Sequence, residues 1–320
     1  MDPANPQLAR LRPSDWSAVL DDLARSMVAH APGLDRLDAD VGDGDTGTNL
    51  ATTVTSIHRA VSTVPCATFA ELVSTTAQGV IDGSVGRSGR LLGAALEGIG
   101  DVARNADVLD ASAVAMALEA AAERVVAMSA ESGFGGATHP EPPPLPGSMV
   151  SVAVAVAAAA LVASDADGNL AEVVTAAVDA GLDALEQSPL DRPELAEAGV
   201  VDAGAAGYLV LLEALVGRVC GEEAQVESWV FPADDEVDHE PSRARYLVTM
   251  VLELDDSGHD RLTRVWSALG DDVEIEVIDG VPTASVRTDD IGAVFEASLS
   301  VGRPRDIRVL DAHQGGATCG

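Results

Sequence analysis

The chain has 320 residues and a formal net charge of −33, and all 19 of its basic residues are arginine. Without lysine there is no Walker A P-loop, no strand lysine of the protein-kinase type and no Schiff-base chemistry. A surface this negative repels phosphate backbones and anionic lipid headgroups, so neither nucleic acid nor a membrane surface is an expected partner.

Apolar residues make up 47% of the chain and aromatics only 3%, which describes a globular protein with a core of small side chains. The length suggests two domains. Cys66, Cys220 and Cys319 are odd in number and far apart, with no CxxC, so a disulfide framework is not expected and a cytoplasmic location is. The first residues carry no apolar stretch of the signal-peptide kind. The apolar run Met149–Ala163, mostly Ala and Val, has 15 residues. That is short of the ~18–20 needed to span a bilayer, so it reads as a buried helix, and no membrane insertion is expected.

Helices follow one another through the first two-thirds. Over Ser14–His30, Trp16, Val19, Leu20, Leu23 and Met27 recur at helical spacing. Leu50, Val54, Ile57 and Val61 mark a second helix, and Thr68 with Glu71 forms a capping box for a third. Arg90–Arg104, Asp110–Ser129 and Met149–Ala163 follow, then stripes from Leu170 to Leu185 and from Leu209 to Val219. The total is about eight helices. Glu131–Gly147 is a long Gly/Pro loop, and loops of that length often act as lids or binding loops.

The composition shifts near Glu222, and Ala233–Arg243 reads as an acidic linker. Beyond it, Tyr246–Leu254 is strand-like, Asp260–Leu269 helical, and Val273–Ile278 and Val281–Arg287 flank an Asp279-Gly280 hairpin turn. Asp290–Val301 is helical and Ile307–Leu310 a short strand. The order β-α-β-β-α-β predicts a ferredoxin-like unit. It carries no clustered catalytic side chains, so a dimerisation or regulatory role is expected of it.

Asp38, Asp40, Asp43 and Asp45 fall within eight residues, interleaved with Gly42 and Gly44, just before a helix. Like charges this close repel unless a cation neutralises them, and hard oxygen ligands suit Mg²⁺ or Ca²⁺. The order of Gly42 and Asp43 is the reverse of an EF-hand's, and a calcium β-roll would need many copies. A solvated acidic turn is the other reading. The helix that follows aims its amides and positive dipole end at the same place, so an anion can sit beside the cation. Three more small-residue loops open helices: Gly83–Gly89, Pro146–Met149 and Gly199–Gly207. Together the four loops could wrap a nucleotide.

This set resembles the dihydroxyacetone kinase L-subunit (DhaL) family and, within it, the fatty acid kinase branch. GDGDTGTN at Gly42–Asn49 is similar to the family's metal loop, and AGVVDAGAAG at Ala198–Gly207 to the fatty acid kinase signature. The resemblance implies an eight-helix antiparallel barrel over residues 8–222, a linker over 223–243 and a small α/β ferredoxin-like domain over 244–313. It implies that Asp38, Asp43 and Asp45 hold two Mg²⁺ ions. It assigns ATP binding to Thr46, Gly47, Thr48 and Asn49, to Arg87 and Ser88, to Ser148 and Met149, and to Asp202, Ala203 and Gly204. No catalytic side chain beyond the metal ligands is implied.

The second loop of the family usually has Asn or Ala where Arg87 stands, and the third usually has Thr at Ser148. VRTDDIGAVFEASLSVG at Val286–Gly302 resembles the middle region of fatty acid kinases. The His-x-His zinc ligands of that region read Ser285-Val286-Arg287 here, so no zinc site is expected. A counterpart of the family's further C-terminal domain is not expected. The implied activity is ATP- and Mg²⁺-dependent phosphoryl transfer to dihydroxyacetone or a fatty acid. The acceptor would be presented by a partner: a dihydroxyacetone-binding subunit or a DegV-like fatty-acid carrier. A homodimer is expected. The alternative is a catalytically silent module that senses ATP or ADP.

Overall fold

A computed structural model describes residues 7–64, 66–131, 146–221, 244–253, 258–278 and 281–311. Most of the Gly/Pro loop, the acidic linker, the Asp279-Gly280 turn, Cys319, His139, His239 and His313 lie outside the described residues. The chain divides into a helical unit within Met1–Ser129 and Pro140–Asp235, and an α/β unit within Glu236–Gly320.

Among the described residues, eight long helices build the helical unit: α1 (Pro13–Ala39), α2 (Thr46–Thr63), α3 (Phe69–Gly83), α4 (Gly86–Ala103), α5 (Ala111–Glu131), α6 (Met149–Asp165), α7 (Leu170–Asp191) and α9 (Ala203–Cys220), with a short α8 (Pro193–Ala198) before the last. The third starts as predicted, with Thr68 accepting from the Glu71 amide and the Glu71 carboxylate answering to the amides of Ala67 and Thr68. α1 differs from its predicted extent. It continues through Pro32 to Ala39, because Leu34 and Leu37 carry the stripe of Met27 onward into the core. Packing there outweighs the one amide that proline removes.

The helices share one apolar core. α1 packs on α2 and α9, α2 on α3 and α4, and α7 on α6 and α9. Alanine, valine and glycine let backbones come close. A Cβ on Gly98 of α4 would stand 2.4 Å from the Ala120 carbonyl oxygen of α5. α9 is long and apolar enough to cross a membrane, yet 78% of it is buried inside the protein, where its neighbours are α1, α2, α6 and α7. Its apolarity is that of a core helix.

The α/β unit follows the predicted order: β1 (Tyr246–Glu253), α10 (Gly258–Trp266), β2 (Asp271–Ile278), β3 (Val281–Thr288), α11 (Ile291–Val301) and β4 (Arg303–Asp311). The four strands run β2-β3-β1-β4, antiparallel throughout. Alternate residues Val248, Met250 and Leu252 of β1 meet Leu262, Trp266 and Val294 of the two helices in a separate small core. The indole of Trp266 donates to Ser298 Oγ at 3.1 Å inside it.

Candidate functional site

One end of the helical unit gathers the end of α1 and the starts of α2, α4, α6 and α9. The last turn of α1 carries Asp38, and the chain then folds back over that side chain. The amides of Val41 and Gly42 both donate to the Asp38 carbonyl, and the Gly44 amide donates to Asp38 Oδ2 at 3.0 Å. A Cβ on Gly42 would lie 2.3 Å from Asp38 Oδ1, so a side chain there would displace the Asp38 carboxylate. Asp43 is exposed at the turn, and Asp45 is buried at the start of α2.

One carboxylate oxygen from each of Asp38, Asp43 and Asp45 lies within 4.8 Å of the others. Burial, and after it the charge of Asp43, pushes the Asp38 carboxyl up to about 6. Asp38 also sits at the negative end of the α1 dipole, which adds to the cost of its charge. Three acids held this way form an oxygen-only donor set that a hard divalent cation would relieve.

The second loop docks on the first. Gly86, at φ +61°, opens α4, and a Cβ there would stand 2.4 Å from Asn49 Nδ2. The Val85 amide donates to Thr53 Oγ1 of α2 at 3.3 Å. Asn49 Nδ2 in turn donates to Asp45 Oδ1 at 2.7 Å, so the second loop presses on the residue that braces a candidate ligand.

The remaining loops converge on Gly204. A Cβ there would lie 3.3 Å from Asp202 Oδ1, 3.4 Å from Ser88 Oγ and 3.6 Å from Met149 Cε. Ser148 caps α6 by accepting from the Val150 amide, and Asp202 caps α9 by accepting from the Ala205 amide at 2.7 Å. Asp202 also takes Arg192 Nη1 at 2.6 Å, and its amide donates to Ser188 Oγ. Burial pushes the Asp202 carboxyl up, against the Ala205 amide and the charges of Arg192 and Arg87. Burial lowers the pKa of Arg87; Asp202 opposes that shift, and the like charge of Arg192 reinforces it.

All fourteen positions singled out in the sequence therefore lie at one end of the helical unit. Three further residues join them. Asp35 binds Thr48 twice, Arg192 binds Asp202, and Ser188 holds the Asp202 amide. Asp35 stands three residues before Asp38 on the same helix face, a spacing that could have drawn attention to it. Arg192 and Ser188 lie in the turn between α7 and α8 and at the end of α7, where no periodic pattern reports a role.

The chain is 26% identical over 234 residues to Protein YloV of Bacillus subtilis, covering 72% of this chain and 40% of YloV. It is 26% identical over 206 residues to the uncharacterized protein SSP1546 of Staphylococcus saprophyticus, covering 64% of this chain and 35% of that protein. The chain thus spans two-fifths or less of these relatives. Among solved structures, the native dihydroxyacetone kinase of C. freundii aligns at a TM-score of 0.47 and 20% identity over 68% of this chain and 37% of the kinase. The same enzyme in complex with AMP-PNP and Mg²⁺ aligns at 0.46 and 20%, over 68% and 36%. The sequence pattern of the DAK2 domain matches residues 40–217, which is more than half of the chain, and the chain therefore belongs to the DAK2 domain family.

Proposed function

We propose that the helical unit binds ATP with two Mg²⁺ ions and serves as the nucleotide-binding part of a two-component kinase of the dihydroxyacetone kinase or fatty acid kinase type. The observation that carries this reading is the Asp38, Asp43 and Asp45 cluster, its oxygens within 4.8 Å, with the start of α4 against Asn49 and the starts of α6 and α9 meeting at Ser88. Membership of the DAK2 domain family supports it.

Asp38, Asp43 and Asp45 would hold the metal ions. When bound, Mg²⁺ neutralises phosphate charge and so takes the part that lysine plays in other kinases. Thr46, Gly47, Thr48 and Asn49 would place the first turn of α2 against the phosphates, and Ser88 would do the same from α4. Ser148, Met149, Asp202, Ala203 and Gly204 would close the other side. Arg87 would bring positive charge to the same rim. The residues position the nucleotide, and no further side chain is proposed as a general base.

The acceptor, dihydroxyacetone or a fatty acid, would come on a partner: a dihydroxyacetone-binding subunit or a DegV-like carrier. The α/β unit would dimerise the chain or regulate it. The cytoplasm suits Cys66 and Cys220, neither of which is in a disulfide among the described residues. Calorimetry with ATP and Mg²⁺ tests the core of the reading. Binding by the wild type, weakened at least ten-fold in Asp43→Ala, is the expected result. Absence of binding, or binding indifferent to Asp43, overturns it.

A second reading is a catalytically silent ATP/ADP sensor. The guanidinium of Arg87, half-buried beside Asp202 and Arg192, favours it, since a fixed charge at the rim can hold a nucleotide without turnover. Phosphate transfer to candidate acceptor proteins separates the two: kinase activity requires it and the sensor excludes it.

A further inference from the structure

An aspartate at the start of a helix ordinarily turns its carboxylate back onto an amide of the first turn. Asp45 stands in that position before α2, but its side chain makes no such bond. Its Oδ1 accepts from Asn49 Nδ2, and its carboxylate faces Asp38 and Asp43 instead. The amide it would have capped belongs to Thr48. That amide donates to Asp35 Oδ1 at 2.9 Å, and Thr48 Oγ1 donates to Asp35 Oδ2 at 2.6 Å.

The cap of α2 is thus supplied from α1. Asp35 and Asp38 are three residues apart on α1 and share a face, so one helix presents both the cap and a member of the acidic cluster. The first turn of α2 is seated tightly there as well: a Cβ on Gly47 would lie 2.1 Å from the Ala31 carbonyl oxygen.

We infer that Asp35 is a positioning residue for the Asp38–Asp43–Asp45 cluster: by capping α2 from α1 it releases the Asp45 carboxylate to face the other two. This rests on the reading of the cluster as a cation site. Without Asp35, the Thr48 amide is an orphan of the first turn, and the Asp45 carboxylate next to it is drawn toward that amide and away from Asp38 and Asp43. Asp35 would then govern cation affinity without touching the cation.

The test uses the full chain and Mn²⁺, with free Mn²⁺ read by electron paramagnetic resonance and folding read by circular dichroism. Asp35→Ala should weaken Mn²⁺ about ten-fold or more, the usual effect of losing a group that orients a ligand. Asp35→Asn keeps an acceptor for the Thr48 amide and should recover most of that loss. An Asp35→Ala chain that binds Mn²⁺ as the wild type does overturns the inference. An Asp35→Asn chain as weak as Asp35→Ala overturns it too, because charge and not capping would then be what matters. If Asp35→Ala does not fold, Asp35→Asn decides: it keeps the acceptor for the Thr48 amide and should bind Mn²⁺ within about two-fold of the wild type, and a loss of about ten-fold or more overturns the inference. A wild-type chain that binds no Mn²⁺ fails the cation-site reading itself, whereas wild-type binding insensitive to these variants fails only the role of Asp35.

Discussion

Arg192 donates from Nη1 to Asp202 Oδ2 across 2.6 Å, while Asp202 Oδ1 caps α9 through the Ala205 amide. One half-buried carboxylate therefore serves two elements. Replacing Asp202 by alanine removes the cap and leaves the guanidinium without this acceptor, and it should cost about 2–4 kcal/mol. Asp202→Asn retains an acceptor for the Ala205 amide and should cost about half as much. Chemical denaturation of the two variants checks this, and equal losses would show that the cap contributes nothing.

Gly86 and Gly199 both have φ near +60 to +70° but differ in what surrounds them. A Cβ on Gly86 would meet Asn49 Nδ2 at 2.4 Å, whereas a Cβ on Gly199 would meet nothing within 4 Å. Gly199→Ala should cost only the backbone strain, about 1–2 kcal/mol, with nucleotide binding unchanged. Gly86→Ala should cost more and should also weaken binding of Mg²⁺ with ATP, because Asn49 braces Asp45. Calorimetry on the pair separates strain from displacement, and identical behaviour would refute the link from Gly86 through Asn49 to Asp45.

The helices were legible because small apolar residues recur at helical spacing along each of them, and the α/β unit because its alternating strands bracket two short helices. The cluster of aspartates was legible because local sequence supplies both its acids and the glycines that fold the turn. The far end of α1 was not, since Pro32 reads as a stop and only the burial of Leu34 and Leu37 shows that the helix goes on. Arg192 was not, because its partner Asp202 lies ten residues away across α8, a separation that no local pattern encodes. That both donors of Thr48 engage Asp35 was not legible either, because it depends on how α1 and α2 pack.

Arg87 offers a test of how much charge the rim requires. Its guanidinium lies near Asp202 and Arg192, whose charges act on it in opposite directions. If it contacts a phosphate, Arg87→Asn should weaken ATP by about ten-fold or more, the scale of one charge-assisted hydrogen bond, and leave adenosine unaffected. Competition binding with ATP, ADP and adenosine measures this. Equal losses for all three ligands would assign Arg87 to packing.

Glu213 lies within α9 and is buried, and its Oε2 has no hydrogen-bond partner among the described residues. Burial alone pushes its carboxyl from 4.5 up to about 7. The folded protein therefore keeps this proton in a range where the unfolded chain has lost it. Stability falls as pH rises through that window, with no cost below the unfolded value and the full cost above about 7. Glu213→Gln, neutral at every pH, should stabilise the protein by about 2–3 kcal/mol at pH 8 and hardly at all at pH 4. Denaturation midpoints of variant and wild type, taken as a difference at each pH, isolate this group from the other carboxylates. A difference that stays constant with pH would mean that Glu213 finds a partner for its charge in the folded state.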